Sequence, residues 1–592
     1  MRTRLHRSLA LTALLLTLSP LHCRAIDPSP TQFPAESLNQ SLSDQDLQQW
    51  YHLSAGTQLI PYDWLVALLD ESLAKTFAVT GLVEDPRHPD KLPVGFAKTE
   101  GPNVPVPLVG FTCSFCHTTQ FRYKGHSIRV EGGPSLQNNA ALVNALIQRL
   151  GALTPPDVST FLQSLKEEAP PEPFKTFANR VLASRGEAVT AYTLTKLAQD
   201  VRVLTQALVS RSGKDISPQQ WGPGRFDALG RGGNTVFVQL NPDNLRPANA
   251  PVSIPALWGV WEFDWVQWAG SIQHPLARNI GQVIGVNAGL FSWARPGVPA
   301  PSDKNKVFHS SIDVTSLTTL ENLARRLPPP QWPSVFPPIN RELAARGKDL
   351  YHGNKAKGIP NLCAHCHVPS KVSHSSANSP SLQITMVPLQ EIGTDSLYLE
   401  NFSQRTVDTS FLGRGRISAR EASEYVTTEL MTLDKTGDLT SYRDRPNIWR
   451  DKAQYIARPH FGIWATAPYL HNGSIPTLYE LLSPARERRA CFVLDPNMEF
   501  DPEKVGFVTG DCAGPSQSPT LPPRLEFRTA LPGNSNRGHE FANTPDCDSA
   551  KSNGILGCEL PVNDRLAVIE YLKTCDLDRL ILPNAPACPN FD

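Results

Sequence analysis

Several features that mark common classes of protein are missing from this 592-residue chain. Its 56 basic and 56 acidic residues cancel, so the composition does not indicate a polyanionic partner such as a nucleic acid. Beyond the first residues, no stretch reaches the roughly 18 consecutive apolar residues of a membrane-spanning helix, so no transmembrane anchor is predicted. Neither a GxGxxG nor a Walker pattern is present, and the sequence therefore predicts no nicotinamide or nucleotide site.

The first residues have the composition of an export signal. A basic start precedes a mostly apolar run at residues 9–21, and Ala25 offers a small residue for cleavage. This pattern is typical of a Sec-type signal peptide over residues 1–25. A lipoprotein anchor at Cys23 is the alternative, but the residues before it make a poor lipobox. We therefore predict a bacterial protein that is periplasmic or secreted.

Two Cys-x-x-Cys-His pentapeptides carry the main chemical information. They are Cys113-Ser114-Phe115-Cys116-His117 and Cys363-Ala364-His365-Cys366-His367. In such a motif the two cysteines form thioether bonds to a haem and the histidine ligates its iron. The sequence thus predicts two covalently bound c-type haems, with His117 and His367 as the proximal iron ligands. Haem attachment outside the cytoplasmic membrane agrees with the predicted export.

The sixth ligand of each iron separates electron transfer from catalysis, because an open position binds oxygen or peroxide. Only three methionines follow Met1, so a His/Met cytochrome is not favoured. Two histidines of the second half have distinctive neighbours: His471 lies in APYLHNGSIPTLYELL and His539 in LPGNSNRGHEF. From spacing alone, a loop histidine such as His539 is as often a polar surface residue as a ligand. His365 is expected to face solvent or a propionate.

The remaining cysteines predict disulfide bonds. Apart from the haem motifs and Cys23, all of them lie in the last hundred or so residues. An even number in an exported chain indicates disulfides, and no pair has the close spacing of metal ligands. Pairing of neighbours closes the shortest loops, so we predict Cys491–Cys512, Cys547–Cys558 and Cys575–Cys588.

The pattern of prolines and apolar residues suggests two haem domains. Residues 26–300 are predicted to form an N-terminal domain with the catalytic haem, and residues 301–340 a proline-rich linker. Residues 341–592 are predicted to form a C-terminal cytochrome c-like domain with disulfide-stapled loops. Amphipathic helices at residues 341–351 and 563–572 would frame the second haem, as in a small cytochrome c.

The predicted fold class is mainly α, with long irregular loops, two cytochrome c-like haem lobes and little regular β-sheet. Residues 137–210 show helical periodicity, while short alternating runs on either side of Lys124-Gly125 predict a β-hairpin.

Four tryptophans recur at helical spacing and are predicted to line one helical face: Trp258, Trp261, Trp265 and Trp268. This face is either a bulky part of the core or a surface that packs on a haem. In the second case, Trp261 and Trp265 would contact the haem, and an indole would relay electrons or restrict the distal pocket. Arg225, in the tight turn WGPGRFD, is a candidate partner for a haem propionate.

Residues 467–482, APYLHNGSIPTLYELL, closely resemble the signature of the bacterial di-haem cytochrome c peroxidase superfamily. FTCSFCHTTQFRYKGHSIRVEGGPSL, GPGRFDALGRGGN, WEFDWVQW and LPGNSNRGHEF are similar to the branch that contains the di-haem rubber oxygenases. This resemblance implies that the N-terminal haem is catalytic, with His117 proximal and the distal side open to dioxygen. It also implies a bis-His C-terminal haem with His539 as the distal ligand, which leaves His471 as a structural or haem-contacting residue.

The activity of that family is dioxygenase cleavage of polyisoprene double bonds. The resemblance therefore predicts an oxidoreductase that uses O2 to cleave an apolar unsaturated substrate, with Trp221, Phe226 and Phe237 as candidate catalytic aromatics. One alternative is a di-haem peroxidase that reduces H2O2 with electrons from a small redox protein, relayed through the C-terminal haem. Another is a non-enzymatic electron carrier in which both irons are six-coordinate.

Overall fold

Short helices joined by long loops make up most of the regular structure. The computed structural model describes residues 36–38, 42–69, 77–100, 106–154, 158–167, 169–213, 221–286, 310–372, 379–432, 445–512, 524–544, 547 and 553–582. The predicted signal peptide at residues 1–25 lies outside them. In the described residues, no helix is both long and apolar enough to cross a membrane.

The longer helices are Asp44–His52, Tyr62–Leu68, Asn139–Leu153, Val158–Lys166, Glu172–Arg185, Ala191–Gly213, Ala228–Leu240, Pro275–Gly285, Val314–Arg325, Arg341–His352, Leu397–Ser403, Ala419–Met431 and Val562–Leu572. Shorter α-helical turns are Cys113–Cys116, Ala364–His367, Leu389–Ile392, Leu478–Leu481 and Asp576–Ile581. Turns of 3-10 helix are Pro242–Asn244, Val260–Glu262, Lys355–Lys357, Ser410–Leu412, Ile463–Ala465 and Ala485–Glu487.

The strands form small sheets, and none in the described part of the chain has more than three strands. One three-stranded sheet has the order Glu36–Ser37, His126–Glu131, Thr118–Tyr123, and the other Ile60–Pro61, Leu108–Phe111, Phe96–Thr99. The two-stranded pairs are Arg225–Phe226 with Val252–Ser253, Ser370–Lys371 with Leu382–Gln383, Met386–Pro388 with Gln454–Ile456, Thr406–Asp408 with Arg416–Ser418, Cys491–Leu494 with Leu525–Arg528, Phe500–Asp501 with Gly506–Phe507, and Glu540–Phe541 with Ile555–Gly557. A mainly helical chain with little regular sheet is thus confirmed.

Two large buried apolar cores organise these elements, beside a third, small cluster that includes Val252, Tyr398 and Tyr455. The smaller one lies under the helices of residues 139–213 and includes Phe115 of the first Cys-x-x-Cys-His motif. The larger one contains residues from Trp50 to Ile581, on both sides of the predicted linker at residues 301–340. The division into two haem domains stays a prediction.

The predicted linker contains the helix Val314–Arg325, which Asp313 caps by accepting a hydrogen bond from the Ser316 amide. Leu317 and Leu320 of this helix are buried in the larger core. Apolar side chains at helical spacing can therefore form an ordered, buried element within a proline-rich stretch.

The hairpin and the two framing helices are confirmed. Strands Thr118–Tyr123 and His126–Glu131 pair in antiparallel register on either side of Lys124. The framing helices are Arg341–His352 and Val562–Leu572, and they pack directly on each other. A Cβ atom at Gly347 would lie 1.9 Å from the Ala567 carbonyl oxygen, so this crossing requires glycine.

The tryptophan prediction is wrong, because residues 258–268 do not form one α-helix. A single turn of 3-10 helix, Val260–Glu262, is followed by turns and isolated bridges. Gly259 and Gln267 adopt left-handed φ angles of 67° and 70°, which a right-handed helix does not tolerate. The regular spacing of the tryptophans therefore does not place them on a common face.

Two of the predicted disulfides are confirmed, namely Cys491–Cys512 and Cys547–Cys558. Cys575 is also disulfide-bonded. Its predicted partner, Cys588, lies outside the described residues. These bonds close the Pro/Gly-rich loops of the C-terminal part.

Candidate haem-binding sites

The second motif opens onto a large, mostly apolar cavity. Cys363 precedes the helical turn Ala364–His367, and the spacing of the motif brings Cys363, Cys366 and His367 to the same cavity wall. His365 is exposed at this wall, in agreement with its expected position beside solvent. Other lining residues are Trp258, Trp268, Val387, Tyr455, Ile456, Arg458, His460, Phe461, Leu470, His471, Leu478, Leu482, His539, Phe541, Val568 and Leu572.

The His367 imidazole is oriented by a backbone contact. Its Nδ1 atom lies 2.8 Å from the carbonyl oxygen of Arg458, and since a carbonyl can only accept, Nδ1 carries the proton. Burial lowers the pKa of His367 to about 4, so the ring is neutral at physiological pH. A neutral imidazole with Nδ1–H bonded to a carbonyl leaves Nε2 free to ligate a metal.

His539 lines the same cavity as His367. The centroids of the two imidazole rings are 6.1 Å apart. Two imidazoles on opposite sides of one iron require about 6 Å, from two metal–nitrogen bonds of about 2 Å and two ring radii of about 1 Å. The Nδ1 atom of His539 is buried without a hydrogen-bond partner, and burial lowers the pKa of this histidine to about 3. The donor set and spacing therefore fit a haem.

The loop that carries His539 is held in an unusual conformation. His539 has a φ of 45°, which a residue with a side chain seldom adopts unless its surroundings impose it. Arg488 imposes it by donating hydrogen bonds to the carbonyl oxygens of Asn536, Gly538 and His539, at 2.6, 2.8 and 2.9 Å. A Cβ atom at Gly538 would come within 2.3 Å of the backbone of Gly393, so the loop also needs glycine there. The sequence contains no local signal for the role of Arg488.

A third histidine, His460, was not predicted. Its ring centroid is 3.9 Å from that of His367, and its Nδ1 atom lies 3.1 Å from the Tyr351 hydroxyl. Burial holds the pKa of His460 well below its usual value, and His367 and His539 add to this shift. His460 lacks a motif of its own, and only its position just before APYLHNGS could have indicated its role.

His471 lines the same cavity, where its ring contacts Tyr455. Its ring stacks on Tyr455 at 4.2 Å, and its Nε2 atom lies 3.0 Å from the Tyr455 hydroxyl. The carbonyl of His471 accepts a hydrogen bond from the Ser253 amide. Burial lowers the pKa of His471 to about 3, and Arg225 contributes to the shift. These contacts agree with a structural or haem-contacting residue.

The first motif lies where the two cores meet. Cys113 packs against the larger core, whereas Cys116 and Phe115 pack with the smaller one. Phe115 stacks on Phe111 at 4.0 Å, which anchors the turn Cys113–Cys116. The Gly132 amide donates to the carbonyl of His117, so the end of the hairpin is tied to the histidine. The hairpin thus positions the first motif.

His117 is buried, and its Nδ1 atom has no hydrogen-bond partner. The pKa of His117 is lowered to about 3, mainly by burial and also by the guanidinium groups of Arg278 and Arg458. The backbone of Pro255 has the opposite effect on this pKa. Burial also raises the pKa of Cys113 to about 11, so its thiol is protonated. A neutral imidazole beside two thiols fits a c-type haem. No other imidazole of the described residues makes a ring contact with His117.

The candidate aromatics fall into two places. Trp221 and Phe226 contact each other edge to face at 4.9 Å, and Trp221 Nε1 donates to the carbonyl of Ala248. Phe237 instead lines a second, smaller cavity together with Arg278. Arg278 interacts electrostatically with Cys113 and His117, so this cavity lies toward the first motif. Of the three aromatics, Phe237 therefore has the clearest relation to that site.

Arg225 is buried and bonded within the protein. It donates to the carbonyls of Trp221 and Pro251 and, at 2.6 Å, to the side-chain oxygen of Asn534. Its guanidinium carbon also lies 4.5 Å from the centre of the Phe527 ring. It is not among the residues that line the cavity of the second motif.

The four tryptophans are distributed over different surroundings. Trp258 and Trp268 line the cavity of the second motif, whereas Trp261 and Trp265 do not. Trp261 packs under Arg325 and Arg445, and Trp265 under Arg450 at 3.7 Å. Contact of Trp261 and Trp265 with a haem stays a prediction.

Comparison with known proteins identifies the class to which this site belongs. A family model described as RoxA-like, cytochrome c-like matches residues 454–493, which include His460 and His471, and it indicates a haem-related oxidoreductase. Uncharacterized protein y4iJ of Sinorhizobium fredii (strain NBRC 101917 / NGR234) is 32% identical to this chain over an alignment 592 residues long. The alignment covers 91% of this chain and 92% of y4iJ. Uncharacterized protein y4iM of the same strain is 26% identical over 351 residues, which cover 57% of this chain and 68% of y4iM. The chain belongs to the family of y4iJ.

Proposed function

We propose that this protein is an exported di-haem c-type oxidoreductase that uses dioxygen at its N-terminal haem to cleave an apolar unsaturated substrate. The observation that carries the proposal is the difference between the two motifs. The His367 and His539 rings lie 6.1 Å apart, whereas no imidazole of the described residues makes a ring contact with His117. The RoxA-like match and the resemblance to rubber oxygenases support the same division of roles.

In this proposal the second motif holds a six-coordinate haem. His367 and His539 would hold the iron of this haem, and both are neutral at physiological pH because burial lowers their pKa values to about 4 and about 3. A haem with two protein ligands has no position for a substrate, so this site is structural or relays electrons.

The first motif would hold the reactive haem. When bound, that haem supplies an iron with one open position at which dioxygen is activated. His117 would ligate that iron, and its burial shields the imidazole from solvent. The neighbouring cavity is lined mainly by apolar groups, including Val236, Phe237, Ile272 and Trp449, which suit an apolar substrate.

Haem content is the first test. The pyridine haemochrome assay on the purified holoprotein is expected to give two haems per chain, and one in a Cys113→Ser, Cys116→Ser variant. Carbon monoxide should bind to one reduced haem, the one lost in this variant. Two haems that are both inert to carbon monoxide would contradict the proposed enzyme.

Substrate assays then test the reaction. Oxygen uptake with polyisoprene latex is expected for the wild-type protein and should be lost in the variant that lacks the first haem. Phe237→Ala should reduce uptake, while both haems stay bound. Turnover of hydrogen peroxide with a reduced cytochrome, without oxygen uptake on latex, would show that the protein is a peroxidase instead.

A further inference from the structure

Two arginines close to His117 form no salt bridge with a carboxylate in the part of the chain that the structure describes. Arg278 belongs to the helix Pro275–Gly285 and is 8% exposed. Its Nε and Nη2 atoms both donate to the side-chain oxygen of Asn279, at 3.1 and 2.6 Å. Glu321, which accepts a hydrogen bond from Asn279, attracts Arg278 without forming a salt bridge with it.

Arg458 has still fewer partners. Its Nη2 atom donates to the carbonyl of Ala256 at 2.7 Å, and its guanidinium carbon lies 5.6 Å from the Phe263 ring and 5.7 Å from the Trp268 ring. The side chain lines the cavity of the second motif. Among the described residues, Arg458 forms no hydrogen bond or salt bridge with an acidic side chain.

The position of Arg458 relates it to both iron ligands. Its carbonyl accepts the hydrogen bond from His367 Nδ1, and its guanidinium acts on His117 together with that of Arg278. The two guanidinium groups also repel each other. A buried cation and a second cation at the wall of a mostly apolar cavity are unfavourable unless anions compensate them.

We propose that Arg278 and Arg458 bind propionate carboxylates of haem, and that Arg458 thereby links the two haem sites. Planar guanidinium groups pair well with carboxylates, and each haem brings two propionates to the interior. This inference rests on the proposed binding of two haems but not on the proposed reaction. The carboxylates come from the first haem or from the second, and the experiment below distinguishes these sources.

The experiment is spectroelectrochemical titration of the holoprotein without substrate. A nearby cation stabilises the reduced, less positive iron, so Arg458→Gln and Arg278→Gln should each lower the midpoint potential of the haem whose propionate is bound. The haem whose potential falls identifies the source of the carboxylate. Arg458→Lys keeps the charge but loses the two-point geometry, so it should recover part of the shift.

Arg565 offers a matched control. It is 3% exposed but is paired with Glu487 and Glu559 within the protein. Arg565→Gln should lower stability without moving either potential.

Unchanged potentials in both the Arg278 and the Arg458 variants, with two haems bound, would overturn this inference and leave the proposed function standing. If Arg458→Gln does not fold, the midpoint potentials of Arg458→Lys and Arg278→Gln decide whether the inference holds. A wild-type protein that binds no haem would overturn both proposals at the haemochrome assay.

Discussion

The Nδ1 atom of His367 donates a hydrogen bond to the carbonyl oxygen of Arg458 over 2.8 Å. This contact fixes the tautomer and the ring plane of the proposed proximal ligand. The acceptor is a backbone atom, so its position depends on the fold of the segment around Arg458 rather than on a side chain. The neighbouring strand Gln454–Ile456 pairs with Met386–Pro388, which holds that segment in place.

Loss of His539 should affect one haem only. In His539→Ala, the second haem is expected to change from low spin to high spin, because the distal nitrogen is removed while His367 stays bound. Absorption and electron paramagnetic resonance spectra of the two haems provide the measurement. His126→Ala, on the exposed end of the hairpin, should leave both spectra unchanged. A change confined to the first haem would contradict the ligand assignment.

Arg488 should control whether His539 reaches its position. Arg488→Gln removes the donors for the carbonyls of Gly538 and His539, and buried carbonyls without donors cost about 1–3 kcal/mol. We expect a lower free energy of unfolding in urea and a partial high-spin signal from the second haem. The neighbouring Arg486 is exposed and pairs with Glu559 at the surface, so Arg486→Gln is the control. Equal spectra for Arg488→Gln and Arg486→Gln would argue against the role of Arg488 in holding the His539 loop.

The contact of His460 with His367 predicts a spectroscopic effect of Tyr351. Tyr351→Phe removes the hydroxyl that lies 3.1 Å from His460 Nδ1, while it keeps the buried ring. Since His460 lies against His367, we expect a shifted electron paramagnetic resonance signal of the second haem, with an unchanged first haem. Tyr571→Phe removes a hydroxyl that is bonded to His352 instead and should have no such effect. The same shift in both variants would indicate a general packing effect.

Asp578 predicts a loss of stability at high pH. Burial raises its pKa from 3.8 to about 8, so between these values the folded protein holds a proton that the unfolded chain has released. Its contribution is therefore fully present below about pH 4 and is lost as the pH rises through 8.

Comparing unfolding free energies at pH 5 and pH 9 tests this effect. The wild-type protein should lose about 4 kcal/mol more than Asp578→Asn between the two pH values, from about three pKa units at about 1.36 kcal/mol each. Glu342→Gln, at an exposed carboxylate of the first framing helix, should behave like the wild type. An equal pH dependence in the wild type and Asp578→Asn would contradict the raised pKa.

The disulfide Cys491–Cys512 closes a longer loop than Cys547–Cys558, with sequence separations of 21 and 11 residues. Replacing the first pair by serine should lower the free energy of unfolding by about 3 kcal/mol, and replacing the second by somewhat less, because a longer loop loses more chain entropy when it is closed. Denaturant titration of both double variants measures the difference. Haem content should stay the same in both.

Features that depend on neighbouring residues were predicted well. The hairpin at Lys124, the framing helices and the disulfide Cys491–Cys512 follow from alternation, helical periodicity and short loops. The prediction of a helical tryptophan face was wrong because residues with left-handed φ angles interrupt the segment. The spacing of Trp258 and Trp261 contains no information about φ.

The pentapeptides alone determine where haem would be attached, because covalent attachment and proximal ligation need only five neighbouring residues. The resemblance to a known family singled out His539, but its distance and orientation toward His367 depend on packing between distant segments. The same holds for His460, Arg488 and Arg458, which lack sequence motifs of their own. Tertiary structure alone decides these contacts, because each joins backbone or side-chain atoms that only the folded core brings together.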